Sequence, residues 1–254
     1  YLYTQRFSDG LAAVRTNPQG NAEGYIDKRG KMVIPAIFFN ARSFSEGLAA
    51  VRTDANGKFA YIDKSGKIVI PAQCDNAANF KDGIASVMVG GKWGCIDTKG
   101  QFVVPAKYDD SSFPMGLIFK EGLARVTDFK GTWGYIDKTG NMVIPQEYKY
   151  AGDFSEGLAP VHKSTGTIKD SFYGYIDKTG KVVIKVKEDI SWHGSFHEGL
   201  ALVRRSQEWG YIDKSGKVVI PIGASVAWNF SNGLALVAVE NRTKWGFIDK
   251  SGKL

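Results

Sequence analysis

Hydrophobic residues occur along this chain in short runs that polar turns separate. A run of the form Gly-Leu-Ala-x-Val, as at 47–51, is followed by Trp-Gly-Tyr-Ile, as at 133–136, and then by an apolar triplet, as at 218–220. Short runs rich in β-branched and aromatic residues, bounded by Gly, Asp and Ser, are typical of β-strands. The pattern therefore predicts an all-β chain built from three antiparallel strands, which we call strands A, B and C.

Apolar side chains occupy both faces of strands B and C, whereas a sheet with one face in water would alternate apolar with polar residues. We therefore expect both strands to be buried on both faces, in sheets that stack on one another. Strand A carries one variable position beside its Leu, and we expect that position to be exposed in some repeats. It holds Ala13, Ala50, Ser86, Arg125, Pro160, Leu202 and Leu236.

The three strands recur with a regular period, which is the signature of a repeat architecture. The Asp after strand B returns at intervals of 36, 34, 40, 40, 36 and 36 residues. We therefore predict a single array over 1–254, in which seven three-stranded repeats stack either radially as a β-propeller, which we favour, or axially as an open solenoid. The repeats are 1–35, 36–71, 72–105, 106–145, 146–185, 186–221 and 222–254.

A Trp-Gly dipeptide opens strand B in four repeats, at 93–94, 133–134, 209–210 and 245–246. With the spacing and the following Val-Ile-Pro, these dipeptides resemble the WG-repeat family, which is best known from bacteria. Repeats one, two and five depart from the dipeptide, with Glu23-Gly24, Phe59-Ala60 and Tyr173-Gly174. The resemblance covers all seven repeats and implies a class of repeat protein, but it implies no activity.

Each turn between strands B and C reads Asp-Lys-Ser/Thr-Gly or a close variant. An Asp carboxylate can accept a backbone N–H two residues on, and Gly can take the positive φ that closes such a hairpin with a bulge. A residue present in every repeat serves a need that every repeat has, so we interpret these positions as structural rather than catalytic. They include Asp27, Gly30, Asp63, Gly66, Asp137, Gly140, Asp213 and Gly216.

The composition is that of a folded chain, with 43% hydrophobic and 13% aromatic residues among 254. Its formal net charge of +7 is concentrated in the lysines of the B–C turns, which could attract an acidic partner or simply keep the sheets soluble. Exposed aromatics do not alternate with the basic residues, so nucleic acid is an unlikely ligand. The sequence has no apolar run long enough to span a membrane. It starts without Met or a signal-peptide pattern and stops inside the seventh motif, so we expect both ends to be truncated.

Residues that carry chemistry are few. No nucleophile, phosphate-loop or zinc-protease motif occurs, and we predict no catalytic residue, cofactor or metal. His193 and His197 would share a face only on a helix, so we interpret them as a solvated loop pair. Cys74 and Cys95 replace aromatic residues of other repeats and are expected to be buried, either as free thiols or as a disulfide that would indicate an oxidising compartment.

These observations favour a non-catalytic binding or scaffold protein at or outside the bacterial cell surface, with the periplasm as an alternative. The alternatives are a structural subunit of an extracellular assembly and a carbohydrate-active enzyme with converging carboxylates. We expect a protein or an acidic cell-surface polymer as partner, with self-association as a further option. Long connections are where recognition residues concentrate. The predicted surface contacts are Trp192, Trp228, Phe113, Lys163 and Lys169.

Overall fold

The computed structural model describes residues 3–16, 20–109, 116–127, 131–164, 171–186, 190–239 and 243–253. Every regular element in these ranges is a β-strand, and the strands form six four-stranded sheets and one three-stranded sheet. All pairings are antiparallel, and strands neighbour one another in chain order, so each sheet is a simple meander. Over the same ranges there is no helix with the length and apolar character needed to cross a membrane.

The first four sheets comprise β1 Tyr3–Thr4, β2 Leu11–Arg15, β3 Glu23–Asp27 and β4 Met32–Phe38; β5 Asn40–Ala41, β6 Ala49–Arg52, β7 Phe59–Ile62 and β8 Ile68–Cys74; β9 Asn76–Ala77, β10 Ile84–Val89, β11 Lys92–Asp97 and β12 Phe102–Asp109; and β13 Phe119–Lys120, β14 Leu123–Thr127, β15 Trp133–Asp137 and β16 Met142–Tyr148. The last three comprise β17 Tyr150–Ala151, β18 Ala159–Lys163, β19 Phe172–Ile176 and β20 Val182–Lys185; β21 Trp192–His197, β22 Leu200–Arg205, β23 Glu208–Asp213 and β24 Val218–Ala224; and β25 Val226–Ala227, β26 Leu234–Val239 and β27 Lys244–Asp249.

The predicted strands A, B and C are the last three strands of each sheet, and the structure adds a short first strand before strand A. In the second sheet this is β5, which pairs Asn40 with Arg52 and Ala41 with Val51. Only Phe39 separates β5 from β4 of the preceding sheet. One nearly continuous segment of chain therefore contributes its first part to one sheet and its last part to the next.

Contacts between Cα atoms group the chain into two compact units, Tyr1–Ile118 with Lys138–Gly140, and Phe119–Asp137 with Asn141–Leu254. The core of each unit lies between successive sheets. In the first unit the ring of Tyr25 in strand B packs edge-on against Phe44, with centroids 4.7 Å apart. In the second unit Tyr135 packs the same way against Phe154 at 4.9 Å. The strand B tyrosines are thus covered by the sheet that follows.

Each of these tyrosines also satisfies its hydroxyl at the following sheet. The Tyr25 hydroxyl donates to the carbonyl of Arg42, and the Tyr135 hydroxyl donates to the carbonyl of Gly152, both at 2.7 Å. A buried hydroxyl needs such an acceptor, because leaving it unpaired would cost about 1–3 kcal/mol. The aromatic residue of strand B is therefore a tie between consecutive repeats as well as part of the core.

Burial follows the prediction in strand B of the first six sheets, but not in strand B of the seventh, where Trp245 and Phe247 are 53% and 59% exposed, and not in strand C. Every residue of β7 is buried. In β8, by contrast, Ile68 and Val69 are 45% and 41% exposed, and of the apolar triplet Ile70 alone is buried. The prediction that strand C is covered on both faces was wrong, because strand C is the last strand of its sheet and is covered by a neighbouring sheet on one side only.

The variable position of strand A also differs from the prediction. Ala13, Ala50, Ser86 and Leu202 are buried there, and Arg125 is half-buried. None of the seven residues at this position is exposed. Strand A lies between two other strands and under the next sheet, so both of its faces are covered whatever the sequence places there.

The glycine of the Trp-Gly dipeptide lies directly beneath the backbone of strand C. A Cβ built on Gly134 would stand 2.5 Å from the carbonyl oxygen of Ile144 and 2.7 Å from the carbonyl carbon of Pro145. The register of strands B and C shifts at this place, because strand C bulges over strand B. Ala60 occupies the equivalent position in the second repeat and is fully buried, so one methyl group can be accommodated there.

The proline that follows the apolar triplet stands on an edge strand. Pro35, Pro71 and Pro145 lie inside β4, β8 and β16, which are the last strands of their sheets. Proline has no N–H to donate, so it interrupts the row of free donors along an exposed edge. Such interruptions hinder the addition of a foreign strand. In the fifth repeat Lys185, another residue that protects edges, takes this place.

A turn of two left-handed residues connects the segment before strand A to strand A. In the second repeat Glu46 and Gly47 have φ of 54° and 82°, and Ser45 and Leu48 exchange both backbone hydrogen bonds across them. Positive φ at both central residues defines a type I′ turn, which normally takes Asn or Gly at the first of them. A glutamate at this position is strained, yet several repeats have one, and the strain does not explain why.

The reason is that this acidic side chain reaches the next repeat. The Glu156 carboxylate accepts the backbone N–H of Gly199 at 3.0 Å and also pairs with the Lys214 ammonium at 3.1 Å. Glu121 and Glu198 each bind the equivalent glycine N–H and lysine ammonium of the repeat that follows their own. The corresponding ion pairs are Lys138 with Asp82, Lys178 with Glu121, Lys214 with Glu156, and Lys250 with Glu198.

We expect Glu156→Ala to lower the free energy of unfolding by about 1–2 kcal/mol, because it removes a charge-assisted bond to Gly199 and leaves the backbone strain in place. Glu156→Gly should cost about 1 kcal/mol less, since glycine relieves the strain. Urea unfolding measures both. Glu147→Ala is the matched control, because Glu147 also pairs with a lysine, Lys163, but is not in a left-handed turn. Equal stability of Glu156→Ala and the wild type would contradict this role.

The turns between strands B and C are closed around their aspartates. The Asp213 carboxylate oxygen accepts the backbone N–H of Ser215 at 2.9 Å, the Ser215 hydroxyl at 2.5 Å and the backbone N–H of Lys217 at 3.1 Å. The hydrogen bond from the Ser215 hydroxyl is the main cause that lowers the pKa of Asp213. Gly216 has a φ of 81°. Asp27 and Gly30 form the same turn with Arg29 and Lys31.

We expect Gly140→Val to lower stability by about 1–2 kcal/mol through its positive φ, and Asp137→Ala by about 1 kcal/mol through lost turn hydrogen bonds. Gly216→Val should cost more than Gly140→Val. A Cβ at Gly216 would stand 2.8 Å from the Ile184 side chain, whereas at Gly140 the nearest atoms, on Val104, are 3.5 Å away. Thermal unfolding ranks the variants. A loss of ligand binding at unchanged melting temperature in one of them would indicate a functional turn instead.

Candidate functional site

The short first strand of each sheet is where the repeats differ most at exposed positions. In four sheets its second residue is a buried alanine, namely Ala41, Ala77, Ala151 and Ala227. The first and fourth sheets have the exposed Thr4 and Lys120 there, and the sixth has the buried His193. In the sheets that have alanine or histidine there, the residue before it and the two after it are exposed or half-buried, except for the buried Gly152 and Gly194. A repeat that holds its core constant and varies these positions presents a surface suited to recognition.

One cavity in the second compact unit is formed by these variable positions, and we call it the aromatic recess. It has a volume of about 280 Å³. Its residues come from β14, from β17 and the segment after it, from β21, and from the segment after β25. The lining residues are Arg125, Tyr150, Gly152, Asp153, Trp192, Gly194, Ser195, His197 and Asn229.

Arg125 departs from the repeat pattern at the floor of the recess. The equivalent residues of other repeats include Ala13, Pro160 and Leu202, which carry no charge. Arg125 Nη1 donates to the carbonyl of Ala151 at 3.0 Å, and its Nε forms an ion pair with Asp153 at 3.1 Å. The half-buried guanidinium is therefore fixed in place, and its charge is balanced.

The two aromatic residues of the recess lie over glycines. A Cβ on Gly194 would stand 2.8 Å from the ring atom Cη2 of Trp192, and one on Gly152 would stand 3.4 Å from the Tyr150 hydroxyl. Trp192 and Tyr150 are each 39% exposed. In both repeats the aromatic residue comes two positions before its glycine. The missing side chain gives the Trp192 ring room to lie against the strand, whereas a Cβ on Gly152 would first meet Pro160, at 2.6 Å.

His193 is buried beside the recess, with only 2% of its surface exposed. Its Nε2 lies 3.0 Å from the carbonyl oxygen of Gly174, and its ring contacts Tyr173 and Tyr175 edge-on. Burial lowers the pKa of His193 to about 4. The interpretation of His193 and His197 as a solvated loop pair was wrong. Both belong to β21, where His193 points into the core and His197 lies on the same face of the sheet as the recess lining.

A size exchange explains how a buried histidine fits there. Tyr173 stands where other repeats have the Trp of strand B, and it stacks on His162 with ring centroids 4.1 Å apart and planes 7° apart. The smaller ring of Tyr173 leaves space that His193 fills in place of the usual alanine. Burial also lowers the pKa of His162.

The first compact unit has a recess at equivalent positions, with a volume of about 420 Å³, and most of the residues that line it have polar side chains. Trp93 lines it and is only 1% exposed. Arg42 donates to the Asn76 side chain at 2.7 Å and lies 5.0 Å from the Phe59 ring centroid, which Arg52 approaches to 4.4 Å. Burial lowers the pKa of Arg42. This recess therefore offers hydrogen-bonding groups without an exposed aromatic face.

The predicted surface contacts are not brought together. Trp192 lines the aromatic recess, whereas Trp228 packs on Trp245 at 5.7 Å outside the set of lining residues. Lys163 pairs with Glu147 at 2.8 Å, away from the recess. Phe113 and Lys169 lie outside the described residues.

Sequence reasoning missed Tyr150, Asp153 and Arg125 as site residues. Arg125 was visible as the only charged residue at the variable position of strand A. Tyr150 and Trp192 share one repeat position, and comparing repeats at that position would have paired them.

The cysteines are free thiols. Cys74 and Cys95 are both fully buried, and the Cys95 sulfur lies 3.8 Å from the Ser86 hydroxyl. Burial raises the pKa of each thiol to about 11. Of the two alternatives, the structure therefore has buried thiols and no disulfide. Within the described part of the chain, no group of three or more His, Cys, Asp or Glu side chains is arranged to hold a metal ion.

The fold and the repeat-borne site define an all-β repeat protein in which consecutive sheets are tied together. A model of the WG containing repeat matches residues 24–58, 59–93, 93–128, 133–163, 173–206 and 209–242. The chain therefore belongs to the WG containing repeat family, and the resemblance read from its Trp-Gly dipeptides is confirmed. No curated protein matches the sequence.

Solved structures resemble this chain at low sequence identity. A eukaryotic initiation factor, which is propeller-like, is 13% identical, with a TM-score of 0.58 over 98% of this chain and 75% of its own length. BamB from Moraxella catarrhalis is 13% identical, with a TM-score of 0.43 over 93% of this chain and 81% of its own. Hsv2 from Kluyveromyces lactis is 10% identical, with a TM-score of 0.45 over 94% and 89%. The first of these supports the predicted all-β, propeller-like fold class.

Proposed function

We propose that this protein is a non-catalytic binding scaffold whose ligand site is the aromatic recess. The observation that supports the proposal is that three unusual residues from different repeats lie together. Arg125, Tyr150 and Trp192 each depart from the common repeat pattern, and they meet in one cavity. A repeat that is otherwise constant has no structural need for these departures. Both the WG containing repeat family and the all-β repeat fold are typical of scaffolds rather than enzymes.

The chemistry of the recess supports binding more than catalysis. Its carboxylate, Asp153, is engaged by Arg125 at 3.1 Å. General acid–base catalysis by carboxyl groups needs a second acid placed to share the work. The lining of the recess contains no second acidic residue. Exposed aromatic faces beside a few fixed polar groups are instead the usual lining of ligand sites.

The proposal extends to place and partner. We propose that the protein acts at or outside the bacterial cell surface, where its partner is a protein or a surface polymer. Four of the turn lysines form ion pairs with acidic groups of neighbouring repeats. This pairing supports a partner recognised at the recess over an acidic polymer attracted to the lysines. Protease treatment of intact cells tests the location.

The site is tested by exposing the full chain to an array that carries glycans, wall polymers and peptides. We expect the wild type to bind at least one class of ligand, and the double variant Tyr150→Ala and Trp192→Ala to lose that binding with its fold intact by circular dichroism. Trp245→Ala is the matched control, because Trp245 is 53% exposed and lies outside the recess lining. Binding that survives the double variant, or no binding at all, would refute the site.

A second candidate, a structural subunit of an extracellular assembly, is favoured by the outer strands. Their exposed apolar side chains recur in several repeats, as in Val33 of the first at 43%, Val143 of the fourth at 39% and Val183 of the fifth at 49%. Repeated apolar patches of this kind mark interaction surfaces. Light scattering across a concentration series separates the two candidates, since an assembly subunit should form oligomers without any ligand.

A further inference from the structure

The aromatic recess has the features of a site for one flat, partly apolar ring. Trp192 packs edge-on against Trp209 at 5.2 Å, so the position of its indole is fixed by protein on one side. Gly194 leaves room for the indole to lie against the strand, and 39% of Trp192 stays in contact with solvent. Tyr150 is exposed to the same extent in the neighbouring repeat. A preformed aromatic surface binds at low entropic cost because little has to be ordered on binding.

Charge distinguishes among the ligand classes that stack on aromatic residues. Nucleic acids and acidic polymers need cations that are free to meet phosphate or carboxylate groups. In the recess the one guanidinium, Arg125, is already bound to Asp153 and to the carbonyl of Ala151. The pair leaves the lining without an uncompensated fixed charge. A neutral ligand is therefore favoured over an anionic one.

The polar groups are suited to hydroxyl groups. The Asp153 carboxylate accepts, the Asn229 amide both donates and accepts, and the Ser195 hydroxyl does both. Ser195 already donates to the carbonyl of Asp153 at 3.1 Å, which leaves its own oxygen able to accept. A sugar ring offers hydroxyl groups around its rim and C–H groups on its faces. It can thus meet the aromatic surface and the polar rim at once.

Size agrees with this assignment. The recess, at about 280 Å³, is slightly smaller than the roughly 300–1,000 Å³ of sites for whole small molecules. It suits one ring of a longer chain better than a large compact ligand. A chain ligand would extend from the recess over the exposed Tyr150.

We propose that the aromatic recess binds a neutral glycan, with one pyranose ring on Trp192 and its hydroxyl groups hydrogen-bonded to Asp153 and Asn229. The proposal rests on the proposed function, since it names the ligand class of the same site. It differs from the acidic polymer and protein partners expected from the sequence, and these become outcomes of the test.

The test is isothermal titration of the full chain with soluble oligomers of known composition. The neutral probes are hexamers of β-1,4-linked glucose and of β-1,4-linked N-acetylglucosamine, and the anionic probes are a galacturonic acid hexamer and a poly-glutamate peptide. A neutral peptide of similar length serves as the protein probe. We expect a neutral hexamer to bind and to shift the tryptophan fluorescence, and Trp192→Ala to weaken binding at least tenfold and remove the shift.

Gly194→Ala keeps every functional side chain and tests the geometry. Its Cβ would stand 2.8 Å from the Trp192 ring but 3.8 Å from the nearest backbone atom, the carbonyl oxygen of Leu202, so it should displace the indole and spare the strand. We expect it to weaken binding by about as much as Trp192→Ala. Gly223→Ala is its matched control, because nothing lies within 4 Å of a Cβ there. Melting temperatures show that each variant is folded.

The outcomes separate the inference from the proposed function. Binding of a peptide or an anionic oligomer that Trp192→Ala abolishes, with no binding of neutral hexamers, overturns the glycan assignment and keeps the recess as the ligand site. Glycan binding that both Trp192→Ala and Gly194→Ala leave unchanged overturns the assignment and the recess. Failure of every probe to bind at millimolar concentration overturns both as well.

Discussion

Gly134→Val should lower the free energy of unfolding by about 3 kcal/mol or more. The glycine of the Trp-Gly dipeptide lies under the bulge of strand C, and its Cβ would stand 2.5 Å from the carbonyl oxygen of Ile144 and 2.7 Å from the backbone nitrogen of Gln146. These are backbone atoms of a paired strand, so they can move only if the pairing of β15 with β16 is broken. Overpacking a core costs about 1–3 kcal/mol where side chains can adjust, and more where the backbone must.

The measurement is urea unfolding followed by circular dichroism, beside two comparison variants. Gly134→Ala should cost less than Gly134→Val, because Ala60 shows that a single methyl group fits at the equivalent position of another repeat. Gly223→Val, also in a strand, should change stability by no more than about 0.5 kcal/mol, since its Cβ would meet no atom within 4 Å. If Gly134→Val were as stable as Gly223→Val, the dipeptide glycine would have no packing role.

Lowering the pH from 7 to 4 should destabilise the protein by about 3 kcal/mol through His193 alone. The pKa of His193 is lowered from an ordinary value of 6.5 to about 4 in the folded state, chiefly because the ring is buried. Between these values the unfolded chain binds a proton that the folded protein excludes. The contribution of His193 to the free energy of unfolding is thus fully present above about pH 6.5 and falls as the pH drops towards 4. Below that pH this contribution changes no further. Each unit of pKa shift corresponds to about 1.36 kcal/mol.

The contribution of His193 is isolated by comparing variants over the same pH range. His193→Ala restores the residue of the other repeats but leaves a cavity beside Tyr173, so it should lose stability at pH 7 and lose the steep part of the pH dependence. The double variant with Tyr173→Trp restores both members of the usual pair and should recover stability while staying insensitive to pH. His162, which stacks on Tyr173, is retained in both variants. An unchanged pH slope in His193→Ala would assign the effect to other groups.

The strands and turns of this protein follow from local rules that the sequence states directly. The aspartate and glycine of each B–C turn interact with residues at most four positions away, as Asp27 does with Lys31. Strand B is apolar on both faces and, in every sheet but the seventh, is buried on both faces. Repetition strengthens each inference, because one local rule is seen again at every period.

The predictions that failed concern burial, which depends on which sheet packs against which. Strand C is as apolar as strand B, yet Val69 is 41% exposed and Tyr61 is fully buried. The sequence of strand C does not say that it ends its sheet. In the same way, His193 is polar and near a glycine, which is typical of a loop, but pairing with Val203 places it in a strand beneath Tyr173.

The sequence by itself determined the all-β repeat class, the period, the turns and the family, because these depend on contacts between residues close in the chain. Only the tertiary structure decided that Glu156 reaches Gly199, and that Arg125, Tyr150 and Trp192 share one recess. These residues are tens of positions apart. Their meeting depends on how each sheet packs on the next, and that packing is set by many weak contacts at once rather than by any local pattern.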